Sequence, residues 1–189
     1  MKKSLLLLGS LTIGMMAVEQ AATPPEGVKY IKMLGKELKG NLVKYLKQDP
    51  SGLQAAYFCS KSAEDLTKKV NAEFPEGVRV RRTALHYRNP ENKPDAIDTE
   101  VMKKMEAALK EGSFKKKPVV VDVEGVRRIY VPLIAQKACL KCHGPVAEID
   151  PKVHELIEKR YPDDKAVGFH EGDLRGVIVA EISGKKSQK

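Results

Sequence analysis

Apolar residues recur at steps of three and four from Val28 through Ile31, Leu34, Leu38 and Leu42 to Tyr45, which predicts an amphipathic helix over residues 27–48. Gly35 and Gly40 each weaken such a helix by roughly 1 kcal/mol relative to Ala, so its stripe must be buried for it to persist. Asp49-Pro50 suits a new helix start, and Ser62-Ala63-Glu64-Asp65 has the form of a capping box ahead of Leu66, Val70 and Phe74, in a helix ended by Pro75-Glu76-Gly77. The period then changes. Residues 78–85 alternate as a strand does, and a polar turn covers 88–94. Asp98 reads as the cap of a helix carrying Val101, Met105, Ala108 and Leu109, closed by Gly112. Residues 118–123 and 126–134 flank Glu124-Gly125 as a hairpin, and Asp150-Pro151 opens a helix with Val153, Leu156 and Ile157 inside, stopped by Pro162. Residues 166–169 and 174–182 read as a second hairpin around 170–173. Helices first and a largely antiparallel sheet later define an α+β domain.

Composition narrows the class. With 34 Lys+Arg against 25 Asp+Glu, a net charge of +9 and 42% hydrophobic residues, the chain is neither a disordered polyelectrolyte nor a membrane bundle. Trp is absent, and Phe 4 plus Tyr 6 leave a core short of rings, so a large apolar cofactor has volume to fill. Lys2 and Lys3 precede an uncharged run from Ser4 to Val18, followed by Glu19 and then Ala21 and Ala22, the form of a secretory signal peptide over residues 1–21. That run falls short of the roughly 18 to 20 residues that span a bilayer. The expectation is a periplasmic or otherwise exported protein, not integral to the membrane after cleavage, with one domain over 28–183 and a basic tail over 184–189. Export disfavours nucleic acid as a partner despite the charge.

Export also changes the reading of Cys59, Cys139 and Cys142, because an oxidising compartment favours disulfides and an odd count leaves one thiol over. Cys139-Leu140-Lys141-Cys142-His143 is C-x-x-C-H. Two thiols at this spacing can form thioethers to the two vinyl groups of one haem while the adjacent His ligates its iron. A thioredoxin-like pair would need a βαβ setting, and a structural zinc site would need a second Cys/His pair; neither is present in the sequence.

Four motifs in order carry a resemblance: Ala55-Ala56-Tyr57-Phe58-Cys59-Ser60; Arg81-Arg82-Thr83 with Arg88-Asn89-Pro90-Glu91-Asn92-Lys93-Pro94-Asp95; Cys139 to Gly144; and Ala166-Val167-Gly168-Phe169 with Gly172-Asp173-Leu174-Arg175-Gly176. Together they resemble the Tll0287-like family of haem-binding domains over about residues 29–182. The resemblance implies a PAS-like fold, one covalent haem c on Cys139 and Cys142, and iron held by His143 on one side and the thiolate of Cys59 on the other. Ala84 and His86 stand where relatives often carry other small or polar residues.

Read from the residues alone, Cys59 is equally a small buried packing residue. The rival sixth ligands are His86 at a strand end, His154, His170 and the methionines Met33, Met102 and Met105, which fit helix stripes. Arg81, Arg82, Arg88 and Arg175 are candidates to bind haem propionates as charge-assisted pairs. Lys137 before the haem motif and Lys141 within it, with Lys115-Lys116-Lys117, suit steering of an acidic redox partner protein. A thiolate ligand stabilises ferric over ferrous iron, so a low potential is expected. Two functions follow: a low-potential electron carrier, or a haem-based redox or gas sensor acting through a partner. An enzyme is not expected, since no distal acid/base set is readable.

Overall fold

The computed structural model describes residues 24–184; the leader expected over 1–21 and most of the basic tail lie outside the described residues. Their helices are α1 (Pro24–Gln48), α2 (Leu53–Lys61), α3 (Ala63–Asn71), α4 (Ala96–Lys110), α5 (Leu140–His143) and α6 (Pro151–Arg160). The strands β1 (Val78–Thr83), β2 (Val119–Val123), β3 (Val126–Ile134) and β4 (Leu174–Ser183) form an antiparallel sheet in the order β1-β4-β3-β2. This is the expected α+β arrangement of N-terminal helices and an antiparallel sheet. The last strand of the chain is an inner one, which is why Val177, Ile178, Val179 and Ala180 run apolar without a break and are all buried.

Side chains of a strand alternate between faces, and here the alternation separates two cores. Val80, Ile129, Ile178, Ala180 and Ile182 pack under Tyr30, Ile31 and Leu34 of α1 and Val70 of α3. Tyr130, Val177 and Val179 pack against Val101, Met102 and Met105 of α4 on the opposite face. Each fully buried Leu or Ile in such a layer contributes roughly 1.5–3 kcal/mol, which offsets the two glycines of α1. A third cluster joins Ala56 of α2 to Ile149, Val153 and Ile157 in and before α6, with Leu53 and Cys142 at its edge.

Four local expectations change. Ser62 does not cap: its backbone is helical (φ −115°, ψ −21°) with no side-chain cap, and its N–H and carbonyl continue the ladder from Phe58 to Leu66, so α2 runs into α3 through a joint. Asp95, not Asp98, caps α4, accepting the Asp98 N–H at 2.8 Å, while the Asp98 carboxylate reaches back to the Asp95 N–H at 3.2 Å as the third residue of a capping box. β1 stops at Thr83 because Ala84 N–H and the Thr83 hydroxyl both turn to the Asn92 carbonyl. Residues 166–169 form no strand; their backbone groups bond the haem-motif segment instead.

Candidate functional site

β3 delivers the chain to a short turn in which Cys139 N–H bonds the Gln136 carbonyl at 2.7 Å and Cys139 Sγ accepts the Gln136 N–H at 3.4 Å. α5 then places Cys142 and His143 one turn on. Gly144 closes that turn with its N–H 2.9 Å from the Leu140 carbonyl; a Cβ there would stand 2.7 Å from the same oxygen, so only glycine fits this exit.

The loop after α6 holds the motif from behind. Gly168 N–H bonds the Gly144 carbonyl at 2.8 Å and Phe169 N–H the His143 carbonyl at 2.9 Å. His143 Nδ1 lies 2.7 Å from the Ala166 carbonyl. A carbonyl only accepts, so Nδ1 carries the proton and Nε2 keeps its lone pair. Burial, with the Arg175 and Arg88 charges, holds the imidazole pKa well below its ordinary value, so the ring is neutral. This is the tautomer and charge state that a metal-ligating His requires, oriented by a backbone carbonyl.

Cys59 comes from α2. Phe58 stacks on Tyr45 of α1, ring centroids 5.4 Å apart, and Asp49 fastens the helix start by accepting Ser51 N–H at 3.0 Å and Gln54 N–H at 3.1 Å. Gly52 adopts φ +94°, and a Cβ there would touch Lys141 at 3.4 Å and Cys142 Sγ at 3.9 Å. Lys141 Nζ donates to the Pro50 carbonyl at 2.6 Å. The lysine within C-x-x-C-H therefore staples α5 to the segment leading into α2, rather than standing free toward a partner, while Lys137 is exposed.

All three cysteines are free thiols. Cys59 is reached by solvent, yet burial dominates its titration and pushes the thiol pKa up against the opposing charges of Arg82, Arg88 and Arg175. Both hold for a side chain that meets water on one side and protein on the other. Cys142, also pushed up by burial, to about 11, feels the charges of Cys59, Arg88 and Cys139, so the three thiols lie near one another.

The four arginines part company. Arg82 lies on the α1 face of the sheet, and Cys59, Tyr161 and Glu64 are the groups that offset the burial lowering its pKa; among the described residues it makes no hydrogen bond or ion pair. Arg175 is the extra residue of a bulge, since Gly176 pairs with Leu133 and Leu174 with Ile134; bulges re-aim side chains. It sits over the Phe169 ring at 5.2 Å, donates to the His86 carbonyl at 3.2 Å, and leaves Nε buried without a partner. Burial and the Arg88 charge lower its pKa to about 10. Arg88 is committed to structure: Nε bonds Asp164 at 3.0 Å, and Nη2 bonds the Cys142 and Ala166 carbonyls at 2.6 and 3.2 Å. Arg81 leaves the site altogether, facing α4 with both Nη groups on Asp98 and Nε on Glu181.

Among the rival ligands, His86 packs edge-on against Phe169 (6.1 Å), whose ring also meets His143 (6.3 Å). His154 and His170 stand near Glu158 and Asp173 at 4.0 and 3.8 Å. Met102 and Met105 are buried in the α4 core, and Met33 packs against the α1 core. The donor set fits the group implied by the motif: a neutral imidazole with a free Nε2, two thiols at C-x-x-C spacing, a third thiol from α2, and two half-buried guanidiniums short of acceptors. No group of three or more His, Cys, Asp or Glu side chains is placed to hold a bare ion among the described residues.

This chain belongs to the Tll0287-like family, whose model matches residues 14–183. Its structure is similar to the crystal structure of the cyanobacterial haem protein Tll0287, with a TM-score of 0.66 and 24% identity over 89% of this chain and 100% of that one. At that identity the likeness establishes the shared fold. No curated protein matches.

Proposed function

We propose that this protein is an exported mono-haem c-type cytochrome acting as a low-potential electron carrier, with haem c on Cys139 and Cys142 and its iron between His143 and Cys59. The observation that carries this reading is His143: half-buried, neutral, with Nδ1 on the Ala166 carbonyl and Nε2 left to coordinate, one residue from a C-x-x-C pair. Bound haem supplies one-electron exchange between ferric and ferrous iron.

The protein's own groups do the rest. The Ala166 carbonyl fixes the imidazole tautomer and raises its basicity. Arg82 and Arg175 offer donors to anionic oxygens such as the propionates; charge-assisted bonds of this kind are roughly twice as strong as neutral ones. A Cys59 thiolate carries negative charge and so favours the ferric state. Exposed Lys137 suits an acidic redox partner.

The test is Cys59→Ser in the haem-loaded protein. The thiolate signature in electron paramagnetic resonance should disappear and the potential should rise by on the order of 0.1 V, a fraction of the about 0.8 V that axial ligands command. An unchanged spectrum and potential would make Cys59 a packing residue and direct the search to His86. Micromolar CO binding to the reduced wild type, with loss of the sixth ligand, would replace the carrier by a sensor.

A further inference from the structure

α1 has a side that the sheet does not use. Tyr30, Ile31 and Leu34 are buried, while Lys29, Lys32, Lys36 and Lys39 are all exposed. Their spacing of three, four and three places them on one ridge, which Lys47 continues. From Pro25 to Lys47 this ridge runs roughly 33 Å at 1.5 Å per residue.

None of these lysines makes an ion pair among the described residues, whereas elsewhere exposed helix lysines do: Lys68 with Glu64 at 2.9 Å in α3 and Lys104 with Glu100 at 2.6 Å in α4. The carboxylates Glu37 and Glu73 lie to the α3 side, beside Lys69, and Glu26 accepts from the Tyr30 hydroxyl. The strip through Lys29, Lys32 and Lys39 is therefore of one sign. Apolar groups are set into it: Pro25, Val28 and Met33 line a shallow groove with Lys29, Lys32 and Lys36, and Val43 is 39% exposed.

A straight ridge of unpaired ammonium groups on long apolar stems, with small apolar surfaces between them, matches a plane of negative headgroups over hydrocarbon. We infer that the α1 ridge docks the protein on an anionic phospholipid surface.

The exported, haem-loaded protein is sedimented with vesicles of phosphatidylcholine alone and of phosphatidylcholine mixed with phosphatidylglycerol, at low and high salt. The combined variant Lys29→Gln, Lys32→Gln, Lys36→Gln, Lys39→Gln is compared with Lys103→Gln, Lys115→Gln, Lys116→Gln, Lys117→Gln, which removes equal charge from other exposed sites. The visible spectrum checks that each is folded. Each lysine near such a surface is worth about 5-fold, so binding to the anionic vesicles should fall by roughly 100-fold or more in the ridge variant, change little in the other, and weaken with salt. Equal losses in both variants would reduce the effect to net charge and overturn the assignment. Salt-insensitive binding to phosphatidylcholine alone would show that apolar contacts rather than the lysine charges carry the docking, and would overturn the assignment. Absence of vesicle binding, with a ridge-dependent complex to an acidic protein instead, would assign the ridge to a protein partner.

Discussion

Arg81 and Arg82 are neighbours in the chain, and β1 sends them to opposite faces of the sheet. On the α4 face Arg81 meets a network of carboxylates. The fully buried Asp98 accepts from Arg81 at 2.8 and 3.0 Å, from the Tyr130 hydroxyl at 3.0 Å and from Arg128 at 3.3 Å. Glu181 takes Arg81 Nε at 2.8 Å and stands 3.7 Å from Arg128 Nε, the one orphaned atom of the group. Burial, with Asp98 charge, pushes the Tyr130 pKa up to about 12, so its hydroxyl stays a donor. On the α1 face Arg82, together with the bulged Arg175, holds positive charge at the site with no carboxylate at bonding distance. A buried charge is tolerated when paired and costly when not. The first region is built for stability; the second is poised for an anion.

The contrast breaks most visibly at Asp98. Asp98→Asn removes the buried counter-charge that Arg81 and Arg128 share, leaving them Glu181 and Asp95, and should destabilise the protein by about 3 kcal/mol in urea unfolding, as loss of one partner of a buried pair does. The haem spectrum should be unchanged, because nothing in that network touches the site. A spectral shift as large as the stability loss would show that the two faces are coupled.

A sign reversal sharpens it. Arg82→Met removes an unpaired, half-buried charge, so the haem-free protein should gain up to about 1 kcal/mol, the low end of what replacing buried ions by apolar groups yields. The haem-loaded protein should lose stability instead, since a donor to a propionate has gone. Urea titrations of both forms check this; the same sign in both would mean that Arg82 is already satisfied without haem.

The smallest effect is at the cap of α4. Asp95→Ala should cost about 1 kcal/mol at pH 7, mostly from the lost hydrogen bond, because half of the side chain is exposed and its pairing with Arg128 is screened. Burial acts to raise the Asp95 pKa, but the Asp98 N–H and Arg128 outweigh it and leave it below the ordinary 3.8. A depressed folded value makes the charged part of this stabilisation complete above about pH 4 and lost as pH falls through that value. Wild type and variant should therefore converge in acid unfolding curves; a gap that widens on acidification would contradict the assignment.

Much of this was readable from the chain because it depends on near neighbours. The α1 stripe obeys one period over twenty residues, and C-x-x-C-H places two thiols and an imidazole within one turn whatever surrounds them. Strand parity also separates Arg81 from Arg82, a signal present in the sequence itself. What escapes depends on distant partners. Asp95 and Asp98 are equally good caps by type, and only the arrival of Arg81, Arg128 and Tyr130 assigns Asp98 inward. Residues 166–169 alternate like a strand, yet their backbone goes to His143 and Gly144. The bulge that frees Arg175 exists only through the register of β4 on β3, and the Lys141 staple through the approach of Pro50.

The central claim is that Cys139, Cys142 and His143 hold a covalent haem. It is tested most directly by expressing the full chain with export and a c-type maturation system and staining a denaturing gel for haem. The account predicts a stained band for the wild type that vanishes, along with most of the folded protein, in Cys139→Ser, Cys142→Ser. Cofactor released from the wild type by denaturant, leaving an unstained band, would contradict it.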